Sequence, residues 1–176
     1  LGTGAFARTI IDSFVFSDEL TEIPEGCFKE TSLTSIVIPE SVTVIGTNAF
    51  LNCKNLESVV LSDNLKTIEK SAFQYCTSLS SIDFPESLVE IGAYAFEMCE
   101  NLRGEIRLEK NLVYVGKQAF GSTNLTDLYY NIPHLTNSGG LTYTEAFQNM
   151  SNGGFKNITI GNDVKVRSEE RRVGKE

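Results

Sequence analysis

An Ala-Phe pair returns through this chain at a nearly fixed interval. Ala49-Phe50, Ala72-Phe73 and Ala95-Phe96 stand 23 residues apart, and Ala119-Phe120 follows 24 later. Cys53, Cys76 and Cys99 keep the same step. A period of about 20–30 residues marks a solenoid, in which each repeat is too small to bury its apolar face except against its neighbours.

Superposing the repeats sharpens the template. Leu33, Ile36, Ile38, Pro39, Val42, Ile45, Gly46, Ala49, Phe50 and Cys53 form the clearest copy. Leu56, Val59, Leu61, Leu65, Ile68, Ala72, Phe73 and Cys76 repeat it, as do Leu79, Ile82, Phe84, Leu88, Ile91, Ala95, Phe96 and Cys99. A one-residue insertion near Gly104 precedes the copy that ends in Ala119, Phe120 and Thr123. Upstream, Ile11, Phe14, Phe16, Leu20, Ile23, Cys27 and Phe28 fit at a spacing of 22.

The template dictates local structure. Leu-x-x-Ile-x-Ile puts alternate β-branched residues on one face of a short strand. Pro39 and Pro85 close that strand, because proline donates nothing to a continuing ladder. A second extended piece, such as Val42 to Ile45, returns along the other side. Gly46 and Gly92 are read as turn glycines, and Ala-Phe-x-x-Cys as a tight helical or 3₁₀ turn that drops the Phe into the core. The predicted fold is a β-rich repeat solenoid of about 7 repeats of 22–24 residues. Its short parallel strands stack in register about 4.8 Å apart.

The ends depart from the template. Ala5-Phe6 aligns with Cys27-Phe28, so the chain starts halfway through a repeat, without an initiator Met or signal peptide. At the far end Phe155, Ile158, Ile160 and Val164 open a repeat that meets Arg167, Arg171 and Arg172 where apolar residues and Ala-Phe are due. We therefore read residues 1–166 as one solenoid fragment, truncated mid-repeat at both ends, and 167–176 as a non-native tail; the alternative is a solvated charged terminus.

Charge and cysteine use narrow the function. The formal net charge is −8, and −9 without the tail. An acidic chain without a basic stripe is a poor partner for nucleic acid, and no apolar run is long enough to insert in a membrane. The four cysteines form no Cys-x-x-Cys and are accompanied by a single histidine, His134, so neither a metal site nor any other cofactor is implied. Thr31 and Thr123 occupy the position of Cys53, Cys76 and Cys99, which favours small buried residues chosen for volume; a disulfide between adjacent repeats is the alternative. One histidine, no nucleophile elbow and no phosphate loop leave no catalytic constellation, and the chain reads as a non-enzyme.

The phrase from Leu33 to Phe50, with Cys53, resembles the BspA-like leucine-rich repeat family, and the resemblance covers roughly residues 1–166. It implies a leucine-rich-repeat solenoid from a cell-surface or secreted protein, with adhesin-like binding of host or neighbouring-cell proteins, extracellular matrix proteins included. It supplies no catalytic motif. The alternatives are an intracellular scaffold on the same solenoid, or the repeat appendage of a larger enzyme.

Any site must therefore lie in the variable positions. Residues flanking the central Ile of each first strand point away from the core and form two columns on an open sheet face. One runs Ser13, Ser35, Ser58, Ser81, Glu105, Asp127, Asn157; the other runs Val15, Val37, Val60, Asp83, Arg107, Tyr129, Thr159. The first half of this face is a bland Ser/Val surface. Asp83, Glu105, Arg107, Asp127 and Tyr129 make the second half the predicted contact patch, because Tyr and Arg are enriched in binding hot spots. The competing reading is a solvated face with cross-strand ion pairs between Asp83, Glu105 and Arg107. An insertion at 131–145, carrying Pro133, His134 and Gly139-Gly140, breaks the period and offers either a specificity loop or a tolerated bulge. Asn124, Asn149 and Asn157 open glycosylation sequons, which count only in a eukaryotic secretory setting.

Overall fold

The repeats wind into a parallel β-solenoid, seen here in a computed structural model that describes residues 1–133 and 143–164. Each Leu-x-x-Ile-x-Ile segment contributes to one side of the winding. Two strands, β2 (Ser35–Val37) and β4 (Ser58–Val60), pair in parallel with Ser35 opposite Ser58 and Val37 opposite Val60. Three longer strands, β7 (Arg103–Leu108), β9 (Asn124–Tyr130) and β10 (Asn157–Ile160), form a second parallel ladder in the order β10-β9-β7. Between the two ladders, residues 81–84 continue the winding without strand pairing. The register of β7 against β9 shifts between Gly104 and Glu105, where the sequence carries its extra residue. Gly104 takes a φ of 84° there, a conformation that glycine adopts without a Cβ penalty.

The second extended piece of each repeat builds the opposite side. Strands β1 (Glu22–Ile23), β3 (Val44–Ile45), β5 (Thr67–Ile68), β6 (Glu90–Ile91) and β8 (Tyr114–Val115) form a parallel sheet in that order. Their inward residues are in register, Ile23 on Ile45, Ile45 on Ile68 and Ile68 on Ile91, and all four are fully buried. The glycines that follow these strands act differently from the turn role expected of them. Gly46, Gly92 and Gly116 have no left-handed φ; instead they let neighbouring windings approach. A Cβ at Gly116 would stand 2.2 Å from the Ala93 nitrogen, and one at Gly46 would stand 2.7 Å from the Ile23 carbonyl oxygen.

The Ala-Phe corner forms a third ladder, made of the tight turns expected there, with bonds to the third residue back but with left-handed residues in place of helical or 3₁₀ backbone. Left-handed residues bracket each pair: Asn48 and Asn52, Ser71 and Tyr75, Tyr94 and Met98, Gln118 and Ser122. They alternate the direction of the backbone donors. Asn48, Phe50 and Asn52 donate to Lys70, Ala72 and Gln74 of the next winding at 2.8–3.0 Å, while Ala49, Leu51 and Cys53 donate three residues back within the turn. A left-handed non-glycine costs roughly 1–2 kcal/mol, which a hydrogen bond at every second residue offsets. Helix is scarce, and among the described residues it is confined to α1 (Tyr143–Ala146).

These corners align the aromatic spine. Phe6, Phe28, Phe50, Phe73, Phe96, Phe120 and Phe147 stack with centroids 5.0–5.5 Å apart and interplanar angles of 3–13°. All four cysteines are buried free thiols. The Sγ of Cys53, Cys76 and Cys99 donates to the carbonyls of Phe28, Phe50 and Phe73 at 3.0–3.2 Å, so each sulfur ties its repeat to the preceding one. Burial pushes the Cys76 and Cys99 thiols well above the ordinary range. The insertion from His134 through Gly139-Gly140 and the tail from Arg167 onward lie outside the described residues.

Candidate interaction face

The open face of the β2/β4 and β7/β9/β10 ladders carries the predicted columns in register. Glu105 faces Asp127, which faces Asn157; Arg107 faces Tyr129, which faces Thr159. Alternation explains the placement: Ile106 and Leu128 between them are 1% exposed and point into the core, so their neighbours point out. The same geometry puts Val37 and Val60 side by side on the outer surface, 64% and 57% exposed.

Arg107 organises the second half of the face. Its guanidinium lies over the Tyr129 ring with Cζ 3.7 Å from the centroid, a cation–π stack between cross-strand partners. Nη1 donates to Glu105 at 2.9 Å and Nε donates to Glu109 at 3.3 Å. Both carboxylates lie on Arg107's own strand or just past its end, two residues away on either side. The ion pairs therefore run along β7 rather than across it, and Asp83 joins none among the described residues. The hydrogen bond from Arg107 to Glu105, followed by the charges of Glu105 and Glu109, raises the Arg107 pKa. The group is half-exposed, so the pairs contribute little stability; what they fix is the orientation of Arg107 and hence of Tyr129.

Asp127 is held by different means. The Thr126 hydroxyl and the Asn157 amide both donate to its carboxylate. These bonds, with Lys156 nearby, lower its pKa and keep it charged in solution. Tyr130, on the adjoining position of β9, is half-buried, and burial raises its phenol pKa.

The structure thus brings Glu105, Arg107, Asp127 and Tyr129 into one contiguous cluster and leaves Asp83 exposed on the unpaired segment beside it. Sequence reasoning passed over Glu109, Thr126 and the positioning role of Asn157. Glu109 was detectable, since it follows Arg107 by two residues and so shares its face. Among the described residues no group of three or more His, Cys, Asp or Glu converges as a metal site. No described helix is long and apolar enough to cross a membrane.

Comparison with known proteins bears on what such a face is for. The family model described as a BspA type leucine rich repeat region matches residues 21–152 in 6 copies. The chain belongs to this family. As a BspA-type leucine-rich repeat it is a module of a class that generally mediates protein–protein contact. Among solved structures it is similar to the leucine-rich repeat protein TpLRR of T. pallidum, at 23% identity over 100% of this chain and 77% of that one, with a TM-score of 0.57. It is similar to a leucine-rich repeat protein from Bacteroides ovatus at 22% identity, covering 93% of this chain and 52% of that one, with a TM-score of 0.58. Likeness to the pneumococcal vaccine antigen PcpA is 17% in sequence, over 93% of this chain and 49% of that one, with a TM-score of 0.59. At these identities the shared property is the fold, and the chain spans about half the length of the last two. The comparison with curated proteins finds no match.

Proposed function

We propose that this leucine-rich repeat chain is a non-catalytic, adhesin-like interaction module of a cell-surface or secreted protein. It binds a protein partner, from the extracellular matrix or a neighbouring cell, through the open face at Asp83, Glu105, Arg107, Asp127 and Tyr129. In this reading residues 1–166 form one solenoid unit. The observation that carries the site is the Arg107–Tyr129 stack, an exposed arginine over a half-buried ring, already held in one orientation by Glu105 and Glu109. Such a pair meets a partner without first losing side-chain entropy, and Tyr and Arg are the residue types that dominate binding hot spots. Surface location is supported by family membership and by the fold shared with a vaccine antigen.

A capture experiment tests this. The chain, immobilised through a terminal tag, is offered a panel of purified extracellular matrix proteins beside a variant carrying Asp83→Ala, Arg107→Ala and Tyr129→Ala. The expected result is capture of at least one panel member by the parent and about a tenfold or greater loss in the variant, with the thermal melt unchanged. Full capture by a folded variant moves the site off this face.

A further inference from the structure

The open face has two halves of different chemistry, and together they specify a partner. Val15, Val37 and Val60 form one column, 91%, 64% and 57% exposed. Isolated surface valines need no explanation, but three in one column on successive windings, two of them on the paired strands β2 and β4, make a strip. Beneath its edge, a groove runs between Phe14 and Phe16 on one winding and Ile36 and Pro39 on the next. The strip then gives way to Asp83, Arg107 and Tyr129 in the same column, with Glu105 and Asp127 beside them.

The charges on that second half do not cancel. Arg107 is shared between Glu105 and Glu109, and Lys110 stands 3.8 Å from Glu86. Among the described residues Asp83 and Asp127 make no ion pair, and Asp127 has only the charge of Lys156 in its neighbourhood. Asp127 is anchored by Thr126 and Asn157, which orient the carboxylate and favour its ionised form. Two strand spacings, roughly 10 Å, separate the winding of Asp83 from that of Asp127, with the Tyr129 ring alongside Asp127. A surface of this kind repels an acidic partner and offers two carboxylates that no described cation contacts.

We propose that this face docks an extended, bipartite polypeptide segment, with Lys or Arg side chains at Asp83 and Asp127 and aliphatic side chains along Val37 and Val60. The proposal rests on the reading that the open face is the contact surface, and it adds the partner's chemistry. Arg107 then serves as a positioning residue, silencing Glu105 and Glu109 and holding the Tyr129 ring, while Asp83, Asp127 and Tyr129 make the contacts.

The test is a fluorescence-anisotropy titration of the whole chain with a labelled synthetic peptide, Val/Thr-rich in one half and Lys-rich in the other. A twin peptide carries Glu for every Lys. Two double variants are compared: Asp83→Asn with Asp127→Asn on the open face, and Glu22→Gln with Glu90→Gln on the opposite sheet, which removes the same charge elsewhere. Expected are binding of the Lys peptide that weakens with added salt, about a tenfold loss in the Asp83/Asp127 variant, and little change in the Glu22/Glu90 variant. Equal losses in the two variants reduce the attraction to net charge and overturn the proposal, as does equal binding of the Glu twin or no binding of the Lys peptide. Matrix-protein capture separates this failure from that of the broader reading. Capture abolished by the Asp83/Arg107/Tyr129 triple variant but untouched by Asp83→Asn with Asp127→Asn keeps the open face and rejects the cationic partner. Capture untouched by the triple variant rejects the face itself.

Discussion

Phe73 sits at the middle of the aromatic spine, and its removal tests whether that spine couples the windings. The ring is fully buried, with Phe50 5.0 Å away on one side and Phe96 5.2 Å away on the other. Phe→Ala in a core costs about 3–5 kcal/mol in lost transfer energy and residual cavity. Two parallel stacks vanish at once, and the ladder from the Phe73 nitrogen to the Ala95 carbonyl fixes the backbone so that the hole cannot close. These features put Phe73→Ala near the upper end, about 4–5 kcal/mol. In a solenoid each winding is stabilised by its neighbours, so the deficit falls on the two interfaces that Phe73 serves. Urea unfolding followed by far-UV circular dichroism is then expected to split into two transitions, the earlier shifted strongly downward. A milder pair refines the argument: Phe50→Leu with Phe73→Leu is expected to be coupled by about 0.5–1.5 kcal/mol, whereas Phe28→Leu with Phe96→Leu, which do not touch, should add. A single transition within about 1 kcal/mol of the parent refutes the spine as the coupling element.

Two further expectations come from the corners. Gly116→Ala is expected to destabilise by about 1–3 kcal/mol in the same urea assay, because its Cβ would meet the Ala93 backbone at 2.2 Å; Gly2→Ala, with nothing within 4 Å, should be neutral. Glu69 occupies the equivalent position two windings earlier, so a corner can shift to admit a Cβ, and an effect below about 0.5 kcal/mol would mean that the shift is free. The buried thiols predict a pH dependence: the Cys76 pKa in the folded chain lies well above 9.0, so the unfolded chain releases this proton first and stability falls as pH rises through that value. Cys76→Thr should flatten the decline of the urea midpoint above that pH, and an identical slope in both proteins would show that the thiol ionises as readily in the folded state.

Much of this fold was legible because solenoid packing writes itself into the period. The Ala-Phe recurrence fixed the Phe stack, and the extra residue near Gly104 marked the register shift between β7 and β9. The corners were less legible. Asn, Ser, Tyr and Gln take the left-handed position before each Ala, and Asn, Tyr, Met and Ser the one two residues after each Phe, so no residue type announces it; the backbone takes that conformation because the next winding supplies acceptors. Gly46 and Gly92 were visible as glycines, but their reason, contact with the previous winding, is a property of two repeats rather than one. On the open face the columns followed from strand alternation, yet the pairing of Arg107 along its own strand did not. A side chain as long as Arg reaches its neighbours two residues away as easily as those across the ladder, and sequence alone does not choose between them.

The change in strand length along the open face bears on how such a surface works. β2 and β4 are 3 residues long, while β7 and β9 run for 6 and 7. The longer ladder gives Glu105, Arg107, Asp127 and Tyr129 a backbone held at successive residues, and their side chains are further fixed by stacking and hydrogen bonds. Asp83 belongs to the unpaired stretch between the ladders, where neither constraint acts. In the proposed docking, a partner meets an ordered charge and ring at one end of the cluster and an adaptable carboxylate at the other. Order before contact reduces the entropy lost on binding, so the Asp127–Tyr129 end is the expected anchor and Asp83 the adjustable member. On the proposed reading, the boundary between the ladders, rather than any single repeat, gives an otherwise repetitive surface one distinct place to be recognised.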